Sequence, residues 1–196
     1  MKLLIVVDAQ NDFIDGALGS KEAQEAVPKI VERIKESDGE LILFTKDTHL
    51  PNYLYTLEGI NLPVEHCIED TEGWRINRDI RHAWKDKMNT IYLNSDAYNG
   101  LEINNTVLKP TFGSTALMNV INELNKETKL TDRIDTIEFC GFCTDICLIS
   151  NLLMIKALLP EINIIVNSEL CAGSTPEKHK AALEVMKSCQ INLINT

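Results

Sequence analysis

Five consecutive apolar residues, Leu3 to Val7, break off at Asp8. An uninterrupted β-rich run of this length reads as a strand covered on both faces. Similar short runs return at Leu41 to Phe44, Asn105 to Leu108, Ile134 to Cys140, Ile162 to Val166 and Ile191 to Ile194, with a further piece at Ile91 to Leu93. Helical spacing fills the intervals between them. Val27 to Ser37 carries it through Val27, Ile30, Val31 and Ile34, with Pro28 suited to the first helical position. Ser114 to Asn125 starts on a capping serine, Asp145 to Leu158 follows the Ile134 strand, and Pro176 to Ser188 follows Thr175. Strands alternating with helices predict an α/β fold: a three-layer α/β/α domain over residues 1–196, with a mostly parallel, about six-stranded sheet of Rossmann-like topology. Leu50 to Met88 shows no regular pattern.

Charge and cysteine usage narrow the partners. Nineteen basic residues against twenty-nine acidic ones give a formal net charge of -10, with no lysine or arginine run. Such a surface disfavours nucleic acid and anionic membranes. Six cysteines scattered over 196 residues do not form a secreted disulfide scaffold, and a reducing cytoplasm is the expected compartment. The apolar run at the start is cut short by Asp8 and lacks a small-residue cleavage site, so it reads as a strand rather than a signal peptide.

In a parallel sheet, ligands bind beyond the carboxyl ends of the strands. Asp8 ends the first strand, Asp47 and His49 follow the second, Lys109 ends a middle one, and Cys147 follows the next. The segment around Cys147, IEFCGFCTDICLIS, reads as a strand, a turn and a helix start, with Thr144 and Asp145 as N-cap types. A thiol in the first turn of a helix meets unpaired N–H groups and the positive dipole end, both of which favour the thiolate. Cys147 is therefore the candidate nucleophile. A neighbouring Lys109 would lower its pKa, and Asp8 would take and return its proton. Each residue alone also has an ordinary reading, Asp8 as a turn former and Lys109 as a surface charge. Cys140, Cys143 and Cys147 spell C-x2-C-x3-C, but no fourth ligand for a metal or iron–sulfur site lies nearby. Cys67, Cys140, Cys171 and Cys189 read as core filler. Asp47 and His49 form a D-x-H pair; with His66 and Glu58 they offer oxygen and nitrogen donors suited to Zn²⁺, Mn²⁺ or Fe²⁺. The alternative is that Asp47 caps a turn and both histidines are ordinary polar residues. His82 and His179 carry no pattern and are assigned to the surface.

Taken together, VVDAQNDF, TKDTH, PVEHC, KPTFGS and GFCTDIC make the chain resemble the isochorismatase-like cysteine hydrolases, particularly their nicotinamidase branch. The motifs run in order from Leu3 to about Leu148. The resemblance implies a triad of Asp8 as base and acid, Lys109 as its cationic neighbour and Cys147 as nucleophile. It implies a cis peptide between Phe142 and Cys143, with the N–H groups of Cys143 and Cys147 as oxyanion hole, and a divalent metal, zinc first, on Asp47, His49 and His66. Glu58 stands in for a further histidine that many nicotinamidases place after D-x-H. Leu62 and Pro63 occupy the place of a tryptophan commonly found there, leaving Phe13 and Phe112 as aromatic pocket walls. The implied activity is a cytoplasmic amidohydrolase of NAD salvage, converting nicotinamide to nicotinate plus ammonia, with a homo-oligomer as the implied assembly. A hydrolase of another small amide, ureido or carbamoyl, is the alternative, followed by a noncatalytic ligand-binding relative.

Overall fold

The computed structural model describes residues 1–85, 101–102, 105–127 and 133–196. In chain order the elements are β1 (Lys2–Val7), α1 (Asn11–Ile14), α2 (Lys21–Lys35), β2 (Leu41–Asp47), a 3₁₀ turn (Tyr53–Tyr55), α3 (Leu57–Asn61), α4 (Arg78–Lys85), β3 (Leu101–Glu102), β4 (Thr106–Lys109), α5 (Thr115–Glu127), β5 (Thr136–Phe142), a π-turn (Thr144–Leu148), α6 (Ile149–Leu158), β6 (Asn163–Ala172), α7 (Pro176–Ser188) and β7 (Asn192–Ile194). Among the described residues the sheet has seven strands in the order β3-β4-β2-β1-β5-β6-β7. Six of them run parallel, and β3 pairs antiparallel to β4 at one edge. Helices flank this sheet in a three-layer α/β/α arrangement, as the alternating pattern predicts.

The apolar run that opens the chain is β1, between β2 and β5, and its residues from Leu3 onward are buried. Each strand that carries a candidate residue delivers it at its carboxyl end. β2 runs on past Phe44 to Asp47, and β4 places Lys109 beside it, in register Asp47 to Lys109. Gly141 near the end of β5 has φ of +112° and sits against β1; a Cβ there would lie 2.0 Å from the Val7 carbonyl oxygen. Only glycine allows the two central strands to come this close at the rim.

Several elements differ from the sequence expectation. Helix α2 begins at Lys21 rather than Val27, because Ser20 caps it by accepting from the Ala23 N–H, and Ala23 and Ala26 extend its buried face. Pro28 therefore lies inside the helix. The patternless Leu50–Met88 region contains α4, whose Ile80, Ala83 and Trp84 are buried, with Trp84 tilted against Phe44 at 4.8 Å between centroids. β6 continues to Ala172, past the expected end at Val166. The expected piece at Ile91 to Leu93 lies outside the described residues. Among the described residues, no helix is long and apolar enough to cross a membrane.

Candidate active site

Asp8 sits just past β1 with φ of +47°, an unfavourable region for a non-glycine residue. Thr45 holds it there. The Asp8 N–H donates to the Thr45 carbonyl at 3.2 Å, and the Thr45 hydroxyl donates to Asp8 Oδ1 at 2.6 Å. This aims Oδ2 at Lys109, whose Nζ lies 2.6 Å away. The same ammonium donates to Cys147 Sγ at 3.3 Å and to Asp47 Oδ1 at 3.3 Å. All four residues are buried, Lys109 to 1% exposure. One cation thus joins three groups, and the four residues come from four separate stretches of chain.

Protonation follows from this crowding. Burial pushes the Asp8 carboxyl above its ordinary value, against the opposing pull of Lys109. Burial also pushes the Cys147 thiol up, and Lys109 only partly offsets it. Burial opposes charge on Lys109 as well, but Asp8, Cys147 and Asp47 hold its ammonium well above the usual lysine range. Lys109 shares its charge between two carboxylates, so little is left to stabilise a third anion on sulfur. Burial therefore works against the resting thiolate that the sequence suggests, and the Asp8 carboxylate shares Lys109 with the sulfur.

The local fold around Cys147 corrects the expectation further. Cys147 belongs to a π-turn in which the N–H groups of Ile146 and Leu148 both donate to the Cys143 carbonyl, so it does not sit in the first turn of an α-helix. Thr144 and Asp145 do not cap that turn. They face the start of α7 instead: the Thr144 hydroxyl lies 2.9 Å from His179 Nδ1, and Asp145 accepts from the N–H and hydroxyl of Ser174, both at 2.7 Å. His179, expected at the surface, is half-buried, and burial lowers its pKa. The Phe142–Cys143 peptide is cis.

Next to this group stand Asp47, His49, Glu58 and His66, with one donor atom from each lying within 4.8 Å of every other. Asp47 Oδ2 is 3.0 Å from His49 Nε2 and 3.4 Å from His66 Nε2. Glu58 Oε1 is 3.6 Å from the first and 3.8 Å from the second. The Nδ1 of His66 faces the Val64 carbonyl at 2.8 Å, which fixes Nε2 as the free donor. A set of two imidazole nitrogens and two carboxylate oxygens, buried except for the partly exposed Glu58, fits a divalent ion such as Zn²⁺. Tyr53 supports it, its ring 4.7 Å from His49 and 5.0 Å from His66, with its hydroxyl donating to the Leu62 carbonyl.

Between the two groups lies a cavity of about 210 Å³. Cys147, Cys143, Asp47, Glu58 and His66 share its wall with Phe13, Leu62, Phe112 and Ile146. A family model described as the isochorismatase domain matches residues 2–196. This chain belongs to the isochorismatase family. Several solved structures share its architecture. A nicotinamidase/pyrazinamidase from Bacillus subtilis is 24% identical with a TM-score of 0.74, over 99% of each chain. A pyrazinamidase/nicotinamidase from Streptococcus mutans is 22% identical with a TM-score of 0.76, over 99% of this chain and 100% of that one. A pyrazinamidase from Pyrococcus horikoshii, solved in complex with zinc, is 24% identical with a TM-score of 0.71, over 100% of this chain and 99% of that one. A search of curated proteins found no match.

The isochorismatase-like scaffold also uses residues that sequence reasoning passed over. Gln10 donates to the carbonyls of Asp47 and Trp74 and accepts from the Asp47 N–H at 2.7 Å, clamping the end of β2. Asn151 donates to the carbonyls of Cys147 and Phe112 and accepts from the Ser114 N–H, joining the nucleophile turn to the KPTFGS turn. Asp12 accepts from the Cys67 N–H at 2.7 Å, beside His66. A buried polar side chain bonded only to backbone leaves no trace in hydrophobic periodicity. Among these, only the position of Gln10 and Asp12 within DAQNDF offered a signal.

Proposed function

We propose that this protein hydrolyses a small carboxamide through a thioester on Cys147, with nicotinamide to nicotinate plus ammonia as the leading reaction. The observation that carries the reading is Lys109 Nζ held 2.6 Å from Asp8 and 3.3 Å from Cys147 Sγ, with Cys147 itself lining a cavity whose wall also carries Asp47, Glu58 and His66 of the candidate metal-ligand set.

The chemistry follows from the protonation states. As the sulfur attacks the amide carbon, its proton passes to Asp8, whose raised pKa suits it to accept one. The developing oxyanion is met by the backbone N–H groups of Cys143 and Cys147. Asp8 gives its proton to the nitrogen as the C–N bond breaks and ammonia leaves. Water then loses a proton to Asp8 while attacking the thioester, the C–S bond breaks, and the proton returns to sulfur. Lys109 stays charged throughout and keeps Asp8 and the sulfur in place. Asp47, His49, Glu58 and His66 would hold a divalent ion, zinc first. When bound, the ion supplies a Lewis acid that fixes a ring nitrogen of the substrate, a positioning contribution. Phe13 and Phe112 flank the ring. The product acid suits NAD salvage in the cytoplasm.

Ammonia release from nicotinamide, simple aryl amides and ureido compounds, by zinc-loaded wild type and Cys147→Ala, tests the proposal. Turnover by wild type alone supports it. No turnover of any amide by the wild type defeats it.

A further inference from the structure

Glu58, Leu62, Phe112 and Ile146 are wall to two spaces at once. On one side is the reaction cavity of about 210 Å³; on the other is an open groove of about 860 Å³. Small-molecule sites usually enclose roughly 300–1,000 Å³, so the inner cavity alone is small and the groove begins where it ends. The apolar side chains of the groove are Leu50, Leu57, Leu62, Pro110, Phe112 and Ile146. Leu50 is 59% and Leu57 77% exposed, a large apolar area to leave in water beside a reaction site. Among the described residues lining the groove there is no lysine or arginine, and its carboxylate is Glu58. A phosphate or carboxylate lying there would meet no lysine or arginine among the described lining residues and would face Glu58. An uncharged apolar group would instead cover the leucines.

We infer that, beyond nicotinamide itself, the site takes amides that carry an uncharged apolar extension, alkyl or aryl, which leaves the reaction cavity past Leu62 and Phe112 and lies in this groove. The inference rests on the amide-hydrolase reading for what occupies the inner cavity. The shared wall is the reason for choosing a substrate tail over a second protein chain. Four residues bound both spaces, so a group leaving the inner cavity on that side enters the groove directly. The same lining disfavours a nucleotide amide, whose phosphates would find no lysine or arginine among the described residues of the groove.

Calorimetric titration of zinc-supplied Cys147→Ala protein, in which nothing is turned over, tests this with nicotinamide and its 5-propyl, 5-hexyl and 5-(5-carboxypentyl) derivatives. Affinity is expected to rise about two- to fourfold per added methylene, as partial burial of each in an apolar groove requires. The carboxylate-ended chain is expected to lose that gain, and Leu57→Asp in the same background is expected to flatten the dependence on chain length. Affinity that is flat or falls with chain length overturns the inference. So does a flat series in a protein that sediments as a dimer and is split by Leu57→Asp, which would assign the groove to a contact between copies. Ammonia release by wild type separates the two levels. No release from any amide sinks the hydrolase reading, whereas release from nicotinamide with a flat affinity series sinks only the extension.

Discussion

Lys109 Nζ lies 3.3 Å from Asp47 Oδ1, while Asp47 Oδ2 faces the Nε2 atoms of His49 and His66. A single carboxylate therefore spans the nucleophile group and the metal-ligand group, one oxygen to each. The two groups are nonetheless separable by mutation, because only Asp47 belongs to both. Lys109→Met is predicted to lower kcat/KM about 100-fold or more, the scale of losing a group that organises proton transfer, while bound zinc stays near that of wild type. Asp47→Asn is predicted to lose zinc and activity together. Elemental analysis beside an ammonia assay checks both. Zinc loss in Lys109→Met would show the lysine to be part of the metal site.

Asp8 sets a second expectation, in pH. Burial, ahead of the opposing Lys109, raises its carboxyl above the ordinary value of 3.8. The active form is the carboxylate, since only it can take the thiol proton, so activity falls as pH drops through the raised pKa. The acid limb of kcat/KM against pH is therefore predicted to lie above the ordinary carboxylate range. Asp8→Asn is predicted to remove that limb along with about 100-fold or more of the rate. An unshifted limb in Asp8→Asn would assign it to another group.

Asn151 is predicted to act on both stability and turnover. Its side chain satisfies the carbonyls of Cys147 and Phe112 and the N–H of Ser114 from a buried position. Asn151→Leu strands these groups without water, at a cost of about 2 kcal/mol. It also frees the nucleophile turn from the KPTFGS turn. Thermal unfolding and kcat measured on the same sample check it, and unchanged kcat would show that the π-turn holds Cys147 unaided.

Arg33 offers a contrast at the opposite end of the sheet. Its guanidinium reaches Glu138 at 2.7 Å and Glu40 at 2.6 Å, all three side chains being less than a fifth exposed. Arg33→Met leaves two crowded carboxylates without a cation, at a cost of about 2 kcal/mol after allowing for partial solvent screening. That corresponds to roughly 5 °C in Tm for a chain of this length. Per-molecule turnover is predicted to stay at the wild-type value, as read by denaturation and an ammonia assay on one preparation.

How much of this was legible in the residues depended on the kind of signal. Continuous apolar runs such as Leu3 to Val7 announced the buried strands, and the helix over Pro176–Ser188 was readable from Thr175 and Pro176. Asp8, Asp47, Lys109 and Cys147 could be gathered because each ends or follows a strand, and parallel strands bring their carboxyl ends to one rim. Helix α4 was missed because its buried face rests on only three residues, Ile80, Ala83 and Trp84. The burial that opposes a thiolate at Cys147 was not visible for a different reason. Sequence showed a cation nearby, but not that two carboxylates share it or how completely the site is buried. Thr144, Asp145 and His179 were misassigned because their partners lie some thirty residues apart in sequence.

The central claim is that the carbonyl carbon of the substrate becomes bonded to Cys147 Sγ before water reaches it. Running the reaction with nicotinamide in the presence of hydroxylamine, and measuring the hydroxamate formed against nicotinate, tests it most directly. A thioester is open to either nucleophile, so the account predicts hydroxamate that increases with hydroxylamine at the expense of nicotinate in wild type, and neither product in Cys147→Ala. Nicotinate released with no hydroxamate at any hydroxylamine concentration, or turnover surviving in Cys147→Ala, would contradict it.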